Sequence, residues 1–152
     1  MEAVVFCGVQ GSGKTSLYVD RFLETHVRVS LDVLRTRARE EAFVRLCLER
    51  GQRFVVDNTN ATPAERRRYV APARTAGFRV VAYLVEVQVH EALARNAERT
   101  GRRRVPAAGL VGTEHRFVRP TPQEGFDELW HATAALDGGW RIEPLLITPP
   151  LF

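Results

Sequence analysis

The sequence predicts an α/β fold of three layers, a four- to five-stranded, mainly parallel sheet covered by helices on both faces. Three observations predict it. Short apolar runs alternate along the chain with longer segments whose apolar residues recur at helical spacing. A glycine-rich loop joins the first apolar run to the first helical segment. The length, 152 residues, fits a single domain, and a domain of this size buries roughly 70% of its unfolded surface without help from disulfides or metals.

The elements follow in order. Ala3-Val4-Val5-Phe6, within Glu2 to Cys7, reads as a buried strand that ends at Gly8. A helix is expected from Gly13 through Phe22 and Leu23, then a second short strand over Val27 to Ser30. From Leu31 to Arg50 the residues Val33, Leu34, Ala38, Ala42, Phe43, Leu46 and Leu48 recur at helical spacing, and Gly51 stops that helix. Arg53 to Val56 is a third strand, closed by Asp57. Thr62-Pro63-Ala64-Glu65 combines a cap, a proline at the first helical position and a glutamate three residues after the cap. The helix it starts ends before Gly77.

Phe78 to Val87 is the fourth strand and His90 to Thr100 the next helix. Pro106 to Val118 is expected to be helical in part, and Pro120-Thr121-Pro122 to break the chain. Leu129 to Ala132 reads as a fifth strand at the sheet edge, and Asp137-Gly138-Gly139 as a turn. One domain over residues 1–148 and a loose tail over 149–152 are expected.

Composition narrows the partners. The net charge is +4, which suits an anionic partner. No apolar run reaches membrane-spanning length, and the start lacks the basic-then-apolar pattern of a signal peptide. Cys7 and Cys47 both sit in apolar stretches and read as reduced core residues. A cytoplasmic protein with no membrane partner is the expectation. Lys14 is the only lysine; every other Lys+Arg position is arginine. A compact ammonium retained at one site among arginines marks that site as one where a planar fork is a poor substitute.

That lysine lies in Gly8-Val9-Gln10-Gly11-Ser12-Gly13-Lys14-Thr15, which matches the phosphate-loop pattern of two glycines five apart, then lysine, then serine or threonine. The glycines let backbone N–H groups converge on a phosphate, and the helix that follows presents its positive end. Gly8, Gln10, Gly11, Ser12, Gly13, Lys14, Thr15 and Ser16 are therefore expected to bind the phosphates of ATP or another nucleoside triphosphate. Lys14 reaches the β- and γ-phosphates, and the Thr15 hydroxyl binds Mg²⁺. The strand before the loop and the helix after it complete the motif's context, which makes the fold that of a P-loop kinase.

Two acidic positions and a basic cluster add to it. Asp32 and Arg35 stand three apart after the second strand, at the end of the sheet where the phosphate loop lies. A carboxylate there can take a proton from an attacking hydroxyl, and an arginine can hold a substrate phosphate through two parallel bonds. The bland reading is a helix cap and a solvated arginine. Asp57, at the end of an apolar strand, is placed to orient Mg²⁺ or its water shell; the bland reading is a polar turn. Arg95, Arg99, Arg102, Arg103 and Arg104 surround Gly101. They have the composition of an arginine-rich lid, about residues 95–106, closing over the nucleotide. The bland reading there is a solvated basic surface.

Together these residues resemble the polynucleotide 5′-hydroxyl kinases: the phage enzyme's kinase domain and that of the animal polynucleotide kinase/phosphatase. The resemblance rests on the phosphate loop, on Asp32-x-x-Arg35, on Val56-Asp57-Asn58-Thr59-Asn60 followed by Pro63 and Arg66-Arg67, on Arg95-Asn96-x-x-Arg99 with Gly101 and Val105-Pro106, and on Pro120-Thr121-x-x-Glu124-Gly125-Phe126. It covers roughly residues 3–132. It implies that Asp32 is the general base on a 5′-hydroxyl, that Arg35 grips the adjacent phosphate and that Arg99 is the catalytic lid arginine with Arg95 assisting. Asp57, Thr59 and Asn60 would stand on the substrate side.

Gln10 departs from the proline of many members, and Gly101 is shifted beside the lid arginine. The chain holds no Asp-x-Asp nucleophile motif, so phosphatase activity is not expected of it. The leading expectation is γ-phosphoryl transfer from ATP, with Mg²⁺, to the 5′-hydroxyl of DNA or RNA. The rivals are a small-molecule kinase acting on a nucleoside, a sugar or an aminoacyl-tRNA, and a non-enzymatic ATP-binding module.

Overall fold

The computed structural model describes residues 1–86, 116–135 and 138–146. Six strands form one sheet: β1 (Glu2–Cys7), β2 (Val27–Val29), β3 (Phe54–Val56), β4 (Arg79–Val85), β5 (Glu128–Ala134) and β6 (Trp140–Pro144), in the order β2-β3-β1-β4-β5-β6. All neighbours are parallel except β5 and β6. The helices are α1 (Lys14–Arg21), α2 (Leu31–Leu34), α3 (Arg37–Arg50) and α4 (Pro63–Thr75), and a 3₁₀ turn spans Pro122–Glu124.

Parallel strands need crossover helices, so both sheet faces are covered and the central strands are apolar throughout. Ala3 to Cys7 and all of β3 are buried. Val5, Val29, Phe54, Val56 and Val80 pack under α3 and α4 through Val44, Cys47, Tyr69 and Ala73. Val4, Phe6, Val55 and Val81 face the other way, onto Leu17, Tyr18 and Phe22 of the α1 segment. Edge-on aromatic contacts join Phe6, Phe22 and Tyr83 on that side. His26 joins them through Phe22 and touches Glu2 and Thr25 through its two ring nitrogens at 2.9 and 2.7 Å.

Two expectations are corrected. The helix expected over Leu31 to Arg50 is two helices. Arg35 ends α2 with φ of 78°, a backbone region L-residues rarely enter, and Thr36 opens α3 by accepting from the Arg39 N–H at 3.2 Å. Helical spacing on both sides hides a turn that lacks glycine. The sheet also has six strands rather than four or five. Leu129 to Ala132 lies within β5, which is interior, because β6 pairs antiparallel outside it. Trp140 and Ile142 pack toward the α1 face, while Arg141 and Glu143 pair at 2.7 Å. Such a short alternating run beside a Gly-Gly turn carries only a weak strand signal in sequence.

The helix over Pro63–Thr75 forms as expected. Thr62 accepts from the Glu65 N–H at 3.3 Å, and Glu65 reaches back to the Ala61 N–H at 2.8 Å. A cap of this kind contributes about 1 kcal/mol. Among the described residues no helix is long and apolar enough to cross a membrane. The expected helix over His90 to Thr100, most of the segment Pro106 to Val118, and the tail over residues 149–152 lie outside the described residues.

Candidate active site

Strand order gathers the site. β3 lies between β1 and β2, so the segments leaving their carboxyl ends emerge side by side. These are the loop after Cys7, the turn from Asp57 to Asn60, and α2. Backbone bonds fix them to one another: the Gly8 N–H donates to the Thr59 carbonyl at 3.0 Å, and the Asp57 N–H to the Val29 carbonyl at 2.8 Å. Asn60, with φ of 47°, sends its amide into the Phe6 carbonyl at 2.7 Å. The topological switch of an open α/β sheet therefore falls where ligands bind.

The phosphate loop has the geometry its glycines require. Gly11 and Gly13 have φ of 83° and 96°. A Cβ on Gly8 would lie 2.4 Å from the Val85 carbonyl oxygen, so no larger residue fits there without displacing β4. The Lys14 ammonium donates to the Gly8 and Val9 carbonyls at 2.8 and 2.9 Å, which holds it over the loop. Thr15 opens the following helix and donates to Asp57 Oδ2 at 2.9 Å. Gln10 donates to the Thr59 hydroxyl at 3.1 Å, and its amide oxygen is buried without a described partner. Cys7, at the foot of the loop, is fully buried, and burial pushes its thiol up to about 12. It is a packing residue.

Gln10, Gly11, Gly13 to Ser16, Asp32, Asp57, Thr59 and Asn60 line one cavity of about 450 Å³. It therefore brings most of the sequence-predicted residues together. Asp32 is exposed on the first turn of α2, and among the described residues no group bonds its carboxylate. The other acids of the cavity are engaged: Asp57 by Thr15 and Arg28, Glu65 by Arg116 and the Ala61 N–H. Burial raises the Glu65 carboxyl, but Arg116 and that N–H outweigh it and hold the group below the usual glutamate value. Ser12 is fully buried beneath the loop. Arg35 is exposed and does not line the cavity. Arg95 and Arg99, with the rest of the expected lid, lie outside the described residues.

Several residues on the side of the cavity away from the phosphate loop carry no sequence signal. Arg37 lines the cavity, and its guanidinium donates to Glu40 at 2.7 Å and to the Tyr69 hydroxyl at 2.9 Å. Glu40 is fully buried and also accepts from Tyr69 at 2.6 Å and from the Asn58 amide at 2.8 Å. Burial and Glu40 together push the Tyr69 phenol up to about 12, so it stays a donor. Asn58 completes the set by accepting from the Leu31 N–H at 3.0 Å, which anchors the start of α2. One buried carboxylate thus ties α2, α3, α4 and the turn after β3 together. Glu40 is followed by a second glutamate, and nothing in the sequence says which one turns inward.

Beneath them Arg66, wholly buried, forks onto Glu124 at 2.7 and 3.1 Å and caps the Asn60 carbonyl at 2.8 Å. Both residues stand in the segments that carry the resemblance.

The donor set fits a phosphate-borne Mg²⁺. That ion keeps several waters and takes one or two carboxylates beside phosphate oxygens. One hydroxyl and one carboxylate, Thr15 and Asp57, stand 2.9 Å apart at the head of the loop. Among the described residues no cluster of three or more His, Cys, Asp or Glu is present to cage a metal. When bound, the ion would supply charge neutralisation on the phosphates.

Comparison with known proteins agrees with this geometry. A family model described as an AAA domain matches residues 4–120. The chain is 28% identical over 131 residues to a bifunctional polynucleotide phosphatase/kinase of Schizosaccharomyces pombe, covering 82% of this chain and 32% of that protein. It thus spans about a third of that relative's length. The fold is shared with Chaetomium thermophilum Kti12 in complex with ADP-AlF3, at TM-score 0.64 and 16% identity over 86% of this chain and 88% of the other. It is shared also with a gluconokinase of Sinorhizobium meliloti, at TM-score 0.58 and 18% identity over 88% and 83%. The matched residues run from β1 through the phosphate loop, α2 and the turn after β3 and stop just before the 3₁₀ turn, and on that ground the chain belongs to this AAA-domain family, with the fold of a P-loop kinase-like nucleotide-binding domain.

Proposed function

We propose that this domain is an ATP-dependent kinase that moves the γ-phosphoryl group to a hydroxyl, and that its leading acceptor is the 5′-hydroxyl of a polynucleotide. The observation that carries the proposal is the carboxylate of Asp32, bonded by no group among the described residues, on the wall of the cavity that Lys14 and Thr15 also line. A general base needs a free lone pair within reach of the acceptor oxygen. Lys14, the loop amides and the start of α1 hold the phosphates, Thr15 and Asp57 orient Mg²⁺, and Asp32 takes the proton of the attacking hydroxyl. Arg99, with Arg95, is the residue the resemblance assigns to the lid. The fission yeast relative, a polynucleotide phosphatase/kinase, supports the polynucleotide acceptor.

A second reading has an observation of its own. The described wall balances three bases, Lys14, Arg37 and Arg116, against three acids, Asp32, Asp57 and Glu65. A wall of mixed charge suits a small polyhydroxylated acceptor as well as a strand of phosphates. Labelled ATP offered to a panel of acceptors separates the two. Label on a 5′-hydroxyl oligonucleotide, and none on nucleosides or sugars, is the expected result. The reverse pattern favours the second reading. ATP binding with no transfer to any acceptor leaves a nucleotide-dependent binding module.

A further inference from the structure

The Thr15–Asp57 pair has a third member that the phosphate-loop pattern does not contain. Arg28, in the middle of the short edge strand β2, points toward the α1 side of the sheet, opposite to buried Val29. Its Nε donates to Asp57 Oδ2 at 2.8 Å, and its Nη2 donates to the Thr15 hydroxyl oxygen at 3.2 Å. Thr15 in turn donates its proton to the same Asp57 oxygen. The three groups close a ring in which one guanidinium meets both oxygens suited to a metal. Asp57 is 3% exposed and Arg28 24% exposed, so water screens this contact only in part.

We propose that Arg28 is a resident cation that holds the Mg²⁺ position shut in the nucleotide-free protein, so that metal enters only together with the charge of a nucleotide. The proposal rests on the nucleotide-kinase reading above. Mg²⁺ demands oxygen ligands at about 2.0–2.1 Å in near-octahedral order. The lone pair of Thr15 that faces Arg28 cannot serve both a metal and an N–H. The Thr15-to-Asp57 bond can persist when a metal is bound, because it uses the hydroxyl proton; a metal that takes the lone pair facing Arg28 displaces that N–H. A guanidinium beside a divalent ion is also repelled by it. Triphosphate brings several negative charges to the loop and offsets that repulsion, which an empty loop cannot do. Arg28 is thereby a positioning residue, acting through Thr15 and Asp57.

The test uses Mn²⁺ as a spectroscopic stand-in, titrated by electron paramagnetic resonance into the full chain without nucleotide and again with ADP. Arg28→Gln should bind Mn²⁺ at the empty loop about tenfold more tightly than the unaltered chain, the weight of one charge-assisted bond, and the gap should narrow with ADP present. Arg28→Lys keeps a charge and loses the fork, so it should tighten Mn²⁺ by a smaller factor, and it serves if the glutamine variant does not fold. Asp57→Asn should abolish the ADP-dependent binding; binding that survives it lies elsewhere and counts against the proposal. Equal or weaker Mn²⁺ affinity in both Arg28 variants, in a protein that binds ADP by calorimetry, overturns the Arg28 assignment alone. Failure of the unaltered chain to bind ADP or ATP overturns the nucleotide reading beneath it.

Discussion

The two ends of the cavity are built by opposite means. At the phosphate end the work is done by backbone. Two glycines at positive φ, a strand-to-helix turn and one lysine folded over its own loop make an anion cradle with few side-chain contacts. At the acceptor end the framework is side chain. Buried Glu40 gathers Arg37, Asn58 and Tyr69 from three separate segments, and the exposed working residues, Asp32 and Arg37, stand on top of it. A cradle of amides is generic, since every nucleotide offers the same phosphates. A side-chain framework can be altered one residue at a time, so acceptor choice is the property free to diverge.

The contrast can be broken in three places. Asp32→Asn removes the base and leaves the cradle, so turnover should fall about 10²- to 10⁴-fold while calorimetry records unchanged ATP affinity; a parallel loss of affinity would merge the two ends into one. Glu40→Ala orphans the buried Tyr69 hydroxyl and the Asn58 amide and should cost about 1–3 kcal/mol in urea unfolding, with ATP affinity of the folded fraction retained. Arg37→Ala should raise the acceptor KM about tenfold, the weight of a phosphate contact, and more than Arg35→Ala does; the opposite order would return the substrate-gripping role to Arg35.

The smallest effect concerns pH and neither end of the cavity. Burial lowers the His26 pKa from 6.5, against the pull of Glu2. The folded state therefore holds the neutral ring while the unfolded chain takes up a proton. Stability is full above pH 6.5 and declines as pH falls toward the folded-state value. Tm measured across that window should slope downward, and His26→Asn should flatten the slope.

The same division explains what could be read in advance. The phosphate loop is contiguous, so eight successive residues disclosed it, and the strand ending at Asp57 disclosed its acidic partner. The cap at Thr62 was legible for the same reason, since its bonds span three residues. Arg28 was not, because its bonds reach 13 and 29 residues along the chain and strand pairing alone brings the ends together. Glu40 and Tyr69 stand 29 apart, and in sequence each is an ordinary helix residue. The break at Arg35 was not legible because an arginine carries no signal for a positive φ, which L-residues rarely adopt. Asp32, read from its place after the second strand, lines the cavity, whereas the turn at Arg35 keeps that arginine off the wall and puts Arg37 there.

The margins of the sheet carry a last consequence. β2 is only three residues long and has an arginine at its centre, and β6 bears the Arg141–Glu143 pair and ends on a proline. Short length, charge and a missing N–H each discourage another extended segment from adding to an open edge. A core this rich in valine is a hazard for runaway self-association if its strands are ever presented side on. Those two rims discourage such pairing among the described strands, and neutralising Arg141 and Glu143 together should raise the rate of self-association followed by light scattering.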